Sequence, residues 1–143
     1  MTYLLDVNVL IALIDPVHVQ HNAAHEWFAR EGQKSWATCP LTENGVLRVV
    51  GHPRYPNSPG TPAAVAPLIA GLKSLSGYTF WADAISLIDD SEVDEARLLT
   101  TSQVTDSYLL ALAKFHGGRL ATFDRRLVPD AIVQGSQSLY LIP

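Results

Sequence analysis

Short, unbroken apolar runs recur along this chain, and each is separated from the next by a segment of helical spacing. A strand that is apolar on both sides has no face to offer to water. Such strands belong in parallel sheets covered by helices on both faces. Five runs read this way: Tyr3–Leu5, Ser35–Thr38, Tyr78–Trp81, Arg119–Phe123 and Ser138–Ile142. Between them the spacing predicts helices. Asn8–Ile14 is stopped by Asp15-Pro16, because the residue before a proline is pushed out of the helical region. His18–Glu31 carries Trp27 and Phe28 and closes at Gly32. Thr42–Val50 ends at Gly51-His52-Pro53. A Pro- and Ser-rich loop over Tyr55–Gly60 leads to Thr61-Pro62, an N-cap followed by proline at the first helical position. That helix runs to about Leu75. Ser91 is expected to cap a helix over Glu92–Leu99. Thr105 precedes the most regular one, Asp106–His116, closed by Gly117-Gly118. The expected fold is α/β, a five-stranded parallel sheet between helices, in one domain over residues 1–143 without repeats or linkers.

Composition narrows the classes. Apolar residues make up 48% and charged residues 17% of the chain, which supports a core and excludes a solvating disordered chain. Val9–Ile14, the longest apolar candidate near the start, is far too short to span a membrane. Asp6 interrupts the first apolar stretch, and no basic lead-in precedes it, so no secretory signal is expected. The single cysteine, Cys39, rules out an internal disulfide and reads as a small buried apolar residue in a cytoplasmic protein.

The net charge of −4 looks unfavourable for a nucleic-acid binder, but its distribution matters more than its sum. Asp83, Asp89, Asp90, Glu92, Asp94 and Glu95 fall in one stretch without Lys or Arg. They read as a solvated loop and helix face.

Four other carboxylates carry a pattern. Asp6 lies at the carboxyl end of the first predicted strand, and Asp124 just past the end of the fourth. Glu43 and Asp106 fall in first turns of helices, which begin at that same sheet edge. In open parallel sheets, ligand crevices lie outside the carboxyl ends of the strands, where strand order reverses. Carboxylates gathered there repel one another. Helix N-termini relieve this slightly, and a hard divalent cation relieves it far more. Mg²⁺ or Mn²⁺, which favour oxygen ligands, are the cofactors this pattern suggests. Taken singly, each acid has a structural explanation: an N-cap at Asp6, a helix-dipole partner at Asp106, a surface residue at Glu43.

The local motifs are more specific. Leu4-Leu5-Asp6-Val7-Asn8-Val9-Leu10-Ile11, Leu41-Thr42-Glu43-Asn44-Gly45-Val46-Leu47-Arg48, Val104-Thr105-Asp106-Ser107-Tyr108-Leu109-Leu110-Ala111 and Leu120-Ala121-Thr122-Phe123-Asp124 resemble, in order and spacing, the four acidic motifs of the PIN-domain nucleases. The length, and Gly51-His52-Pro53-Arg54-Tyr55 after the second motif, resemble the VapC toxins of bacterial toxin–antitoxin pairs. The resemblance implies a PIN-like α/β/α sandwich and Mg²⁺- or Mn²⁺-dependent endonucleolytic cleavage of RNA. It also implies inhibition by a cognate VapB-type antitoxin, and a homodimer. By motif position Asp6, Glu43, Asp106 and Asp124 would be the catalytic, metal-holding set. Asn8 and Thr122 stand where the family often has a polar partner, and local capping of the adjacent turn is the competing explanation.

Arg48, Arg54, Arg125 and Arg126 are candidate contacts to RNA phosphates, with ordinary surface charge as the alternative. His21 and His25 share a helix face at zinc-helix spacing, but Glu26 follows the second histidine rather than the first and no third ligand is evident. A polar helix face is expected there. Trp27, Trp36 and Trp81 have apolar neighbours and read as core.

Two other functions remain open at this level. A different metal-dependent phosphoryl-transfer enzyme is disfavoured because Asn8 replaces the second aspartate of the phosphatase pattern, and no Walker-type Gly-rich Lys loop is present. A non-catalytic RNA-binding module is disfavoured by the full acidic set, which repels phosphate unless metal is bound.

Overall fold

The computed structural model describes residues 1–143. Strands β1 (Tyr3–Leu5), β2 (Trp36–Thr38), β3 (Tyr78–Phe80), β4 (Arg119–Thr122) and β5 (Leu139–Leu141) form one sheet in the order β3-β2-β1-β4-β5. Every pairing is parallel. The chain starts in the centre, builds outward to β3, then returns to the other side of β1. Strand order therefore reverses between β1 and β4.

Alternation along the strands explains the layers. Tyr3, Leu5, Trp36 and Ala121 face one way, into a core shared with helices α1 (Val7–Ile14), α2 (His21–Arg30), α3 (Pro40–Val50) and α4 (Pro62–Lys73). Leu4, Ala37 and Leu120 face the other way, against α5 (Gln103–Phe115) and the segments carrying Val93, Leu127 and Ile132. The expected α/β sandwich is the observed one. The three tryptophans are core residues, each at most 5% exposed. No helix is long and apolar enough to cross a membrane.

Local chemistry sets the helix starts. Asp6 caps α1 through its own carboxylate. Pro40 opens α3, preceded by a capping box in which Thr42 Oγ1 accepts from the Cys39 N–H at 3.1 Å. Gly45, within the second acidic motif, permits a close helix crossing. A Cβ there would stand 2.7 Å from Val7 Cγ2, so α3 approaches the first turn of α1 at that residue.

Two expectations need correction. Glu92–Leu99 is not an α-helix; only a 3-10 turn over Glu95–Arg97 forms, capped by Asp94 rather than Ser91. The segment after β4 pairs with this one and takes a carbonyl that a helix would use. The Asp94 N–H donates to the Ala131 carbonyl at 2.7 Å, and the Glu92 carbonyl accepts from the Val133 N–H at 2.9 Å. Helix α5 begins at Gln103, three residues before the expected Asp106, so Thr105 lies inside it. Gln103 fixes this start: its Oε1 accepts from the N–H groups of Leu99 and Thr100 at 2.9 and 3.0 Å, and its Nε2 donates to the Arg97 carbonyl at 3.2 Å. His21 and His25 stand on a polar helix face and have partners there. His21 Nδ1 and His25 Nε2 donate to the carbonyls of Ala12 and Leu13, each at 2.7 Å. Those carbonyls belong to the last turn of α1, which has no basic residue of its own.

Candidate metal and catalytic centre

The carboxyl ends of β1 and β4 meet where strand order reverses, and three of the four acids gather there. Asp6 follows β1 directly and is 7% exposed. Its Oδ1 accepts from the Val7 N–H at 2.8 Å, and its Oδ2 accepts from Thr122 Oγ1 at 2.8 Å. The same Thr122 oxygen accepts from the Asp124 N–H at 3.0 Å. One buried hydroxyl thus ties the end of β1 to the turn after β4. Asp124 Oδ1 in turn accepts from the Arg126 N–H at 2.9 Å, which shapes that turn. Asp106 reaches the group from the first turn of α5.

The electrostatics follow from this crowding. Burial pushes the Asp6 carboxyl up; hydrogen bonds from Thr122 and Val7 oppose the rise without cancelling it, and Asp124 adds to it. Asp106 is pushed up to about 6, first by burial and then by the charges of Asp6 and Asp124, with no hydrogen bond to relieve it. The three side chains are mutually repelling acceptors in partly dry surroundings.

Glu43 stands apart from them. Its Oε2 accepts from Thr38 Oγ1 at 2.6 Å and from Lys73 Nζ at 2.9 Å, with Tyr78 Oη at 3.4 Å. Tyr78 Oη also lies 2.6 Å from Thr38 Oγ1. Because the Thr38 proton goes to Glu43, Tyr78 is the donor in that pair. The Lys73 ammonium sits over the rings of Tyr78 and Phe80, 5.5 and 5.3 Å from their centroids. The hydrogen bond to Glu43 is the main reason the lysine's pKa is raised. Lys73, Thr38 and Tyr78 escaped the sequence reading. Lys73 is 30 residues from its partner and closes an apolar helix, where a lysine reads as a helix-end charge.

The other sequence candidates are divided. Thr122 is buried against Asp6. Asn8 is exposed on α1. Arg126 lines a cleft of about 830 Å³ together with Asp106 and Asp124. Arg48 and Arg54 are exposed and do not line this cleft. Arg125 turns away, with Nη2 3.4 Å from the Ile142 carbonyl. Arg97, in the 3-10 turn misread as part of a helix, is a cleft residue that sequence reasoning missed.

The donor chemistry suits a hard cation. The gathered ligands are carboxylate oxygens, with no thiol or imidazole among them, and their mutual repulsion is what a divalent ion relieves. No three acidic, histidine or cysteine side chains stand close enough to enclose an ion as they are oriented. Mg²⁺ is usually held by one or two carboxylates and several waters, so a loose set of this kind fits it.

Comparison with known proteins places this arrangement. The family model of the PIN domain matches residues 3–129. Three curated relatives from Mycobacterium tuberculosis (strain ATCC 25618 / H37Rv) align over most of the chain. Ribonuclease VapC44 is 43% identical over 132 residues, 92% of this chain and 92% of its own length. Ribonuclease VapC39 is 45% identical over 131 residues, 92% of this chain and 94% of its own. Ribonuclease VapC38 is 44% identical over 122 residues, 85% of this chain and 84% of its own. With the sheet order, the acidic centre at its switch point and relatives matched nearly end to end, the chain belongs to the PIN-domain family, in its VapC group.

Proposed function

We propose that this chain is the toxin of a toxin–antitoxin pair, a Mg²⁺- or Mn²⁺-dependent endoribonuclease that hydrolyses RNA phosphodiester bonds. The observation that carries this is the convergence of Asp6, Asp106 and Asp124 at the β1/β4 switch point, where Asp124 raises the cost of ionising Asp6 and both raise it for Asp106. The proposed metal-holding set is Asp6, Asp106, Asp124 and Glu43, the last joining from its lysine-bound position. A divalent ion in that set would polarise the scissile phosphate and make a hydroxide available near neutral pH. The chain's own contribution is orientation. Thr122 and the Val7 amide hold both Asp6 oxygens, so its carboxylate has one direction to face. Thr38, itself held by Tyr78, and Lys73 fix only Oε2 of Glu43, leaving its Oε1 uncommitted.

The proposed unit is a single domain over residues 1–143, acting in the cytoplasm, paired as a homodimer and held inactive by a cognate VapB-type antitoxin. The relatives' name, Ribonuclease VapC, supports the substrate class and the partner.

The purified protein should cleave RNA in Mg²⁺ or Mn²⁺, and Asp6→Asn should abolish cleavage while leaving the fold intact by circular dichroism. RNA cleavage that persists both in EDTA and in Asp6→Asn would remove the metal-site assignment.

A further inference from the structure

The cleft beside the acidic centre has a second wall that the proposed chemistry does not use. Asp106 and Asp124 line it. Arg97 and Arg126 line it too, from two separate segments, and Leu99 and Val128 are its two apolar lining residues, here called its lip. Leu99 is 80% and Val128 41% exposed. The loop carrying Arg97 and Leu99 is not slack. Gln103, itself 7% exposed, spends its amide on the backbone of Arg97, Leu99 and Thr100. Both residues are therefore presented from a held backbone. Arg97 pairs with Asp94 through Nε at 3.2 Å, and that bridge leaves its two terminal nitrogens unengaged.

We propose that this cleft is a nucleotide subsite for single-stranded RNA next to the cleaved bond, with Arg97 and Arg126 taking a phosphate and the Leu99–Val128 lip carrying the face of the base. The proposal rests on the ribonuclease reading above. Guanidinium forks match phosphate oxygens, and an unpaired base offers an apolar face that a duplex hides. Charge also explains why the subsite and the centre work together. Asp106, Asp124 and Asp130 line the cleft and Asp94 pairs with Arg97, so four carboxylates stand against two guanidinium groups and without a cation the cleft repels phosphate. A divalent ion held at Asp106 and Asp124 would offset that excess.

The test is equilibrium binding of a fluorescein-labelled single-stranded RNA of mixed sequence, followed by anisotropy across a salt series in Mg²⁺. The protein carries Asp6→Asn to stop cleavage. Arg97→Gln and Arg126→Gln are each expected to weaken binding about tenfold. Each should flatten the slope of log affinity against log salt by about 0.7, one phosphate contact on a single strand. Leu99→Ser should weaken binding with the slope unchanged, since it removes an apolar contact and no charge. Arg30→Gln, on the far end of α2, should do neither. With Asp6 restored, Arg97→Gln should raise KM and leave kcat in place. An unchanged affinity and slope in Arg97→Gln, in a protein that binds and cleaves RNA, overturns the subsite and leaves the guanidinium pair to an acidic peptide. Binding that depends on Arg97 without cleavage in any divalent metal overturns the ribonuclease reading instead.

Discussion

Asp106→Asn should make the metal-free protein more stable at neutral pH while destroying its proposed activity. Asp106 is pushed from an ordinary 3.8 to about 6 by burial and by Asp6 and Asp124. At about 1.4 kcal/mol per pH unit, that gap amounts to ~3 kcal/mol of disfavour for the ionised form. Asp106 is partly exposed, and solvent screening reduces the expected effect to about 1–2 kcal/mol. The sign follows from linkage. Because the folded pKa is raised, the folded state holds its proton more tightly than the unfolded chain, and that stability is complete below about pH 3.8. It disappears as pH rises through about 6. Asparagine has no proton to lose, so its advantage over the wild type should be near zero at the acid end, grow through this window and then level off. Urea unfolding in EDTA at closely spaced pH values measures the difference directly, and comparison at each pH cancels most other titrations. Saturating Mn²⁺ should invert the order, because only the wild type retains the full ligand set. An Asp106→Asn protein that is equally or less stable than wild type in EDTA at pH 7.5 would show that the three carboxylates do not repel one another as their placement requires.

The remaining expectations probe neighbouring parts of the same architecture. Lys73→Met leaves the half-buried Glu43 without its cation and should cost about 1–2 kcal/mol in EDTA; saturating Mn²⁺ should recover most of it, whereas an identical deficit in both conditions would mean that Glu43 does not join the metal set. Gly45→Ala inserts a methyl group 2.7 Å from Val7 Cγ2, forcing α3 away from the turn that holds Asp6. It should lower stability by about 1–3 kcal/mol, and an unchanged melting temperature would refute that close crossing. Tyr55→Phe removes the 2.5 Å hydrogen bond to Asp15, a buried carboxylate that burial pulls up but that Tyr55, Asn57 and the Val17 amide together hold below its ordinary value. A lowered pKa contributes stability above 3.8 that is lost as the native carboxylate is protonated, so the cost of about 1–2 kcal/mol at pH 7 should shrink as pH falls below that value. Chemical unfolding at pH 7 and near pH 3 distinguishes this from a loss of packing, which would be equal at both.

What was legible in the sequence was whatever neighbours in the chain decide. Continuous apolar strands imply two covered sheet faces, and Tyr3, Leu4 and Leu5 indeed divide between two cores. Asp6, Glu43, Asp106 and Asp124 stand out because each sits in a local motif tied to a strand end or helix start. The misread parts depend on partners far along the chain. Glu92–Leu99 fails as a helix because Ala131 and Val133 claim its backbone, and no local pattern announces that competition. The start of α5 moved because a glutamine side chain, not a serine or threonine hydroxyl, satisfies the preceding loop. Arg97 was invisible as a site residue for the same reason, since its relation to Asp106 exists only after that loop is held.

The same distinction separates Glu43 from the other acids. Motif order places it in one set with Asp6, Asp106 and Asp124, but order along a chain carries no information about which cation answers each carboxylate. Three of the four have only one another and a few hydrogen-bond donors, so their charge is left for an ion to neutralise. Glu43 instead has Lys73, held above two aromatic rings and hydrogen-bonded to it directly. An ion that recruits Glu43 must compete with that ammonium, whereas no lysine or arginine forms a salt bridge with Asp6, Asp106 or Asp124. Metal loading is therefore expected to be stepwise, with the switch-point aspartates filling first and Glu43 engaged only when the gain exceeds the cost of parting a half-buried ion pair.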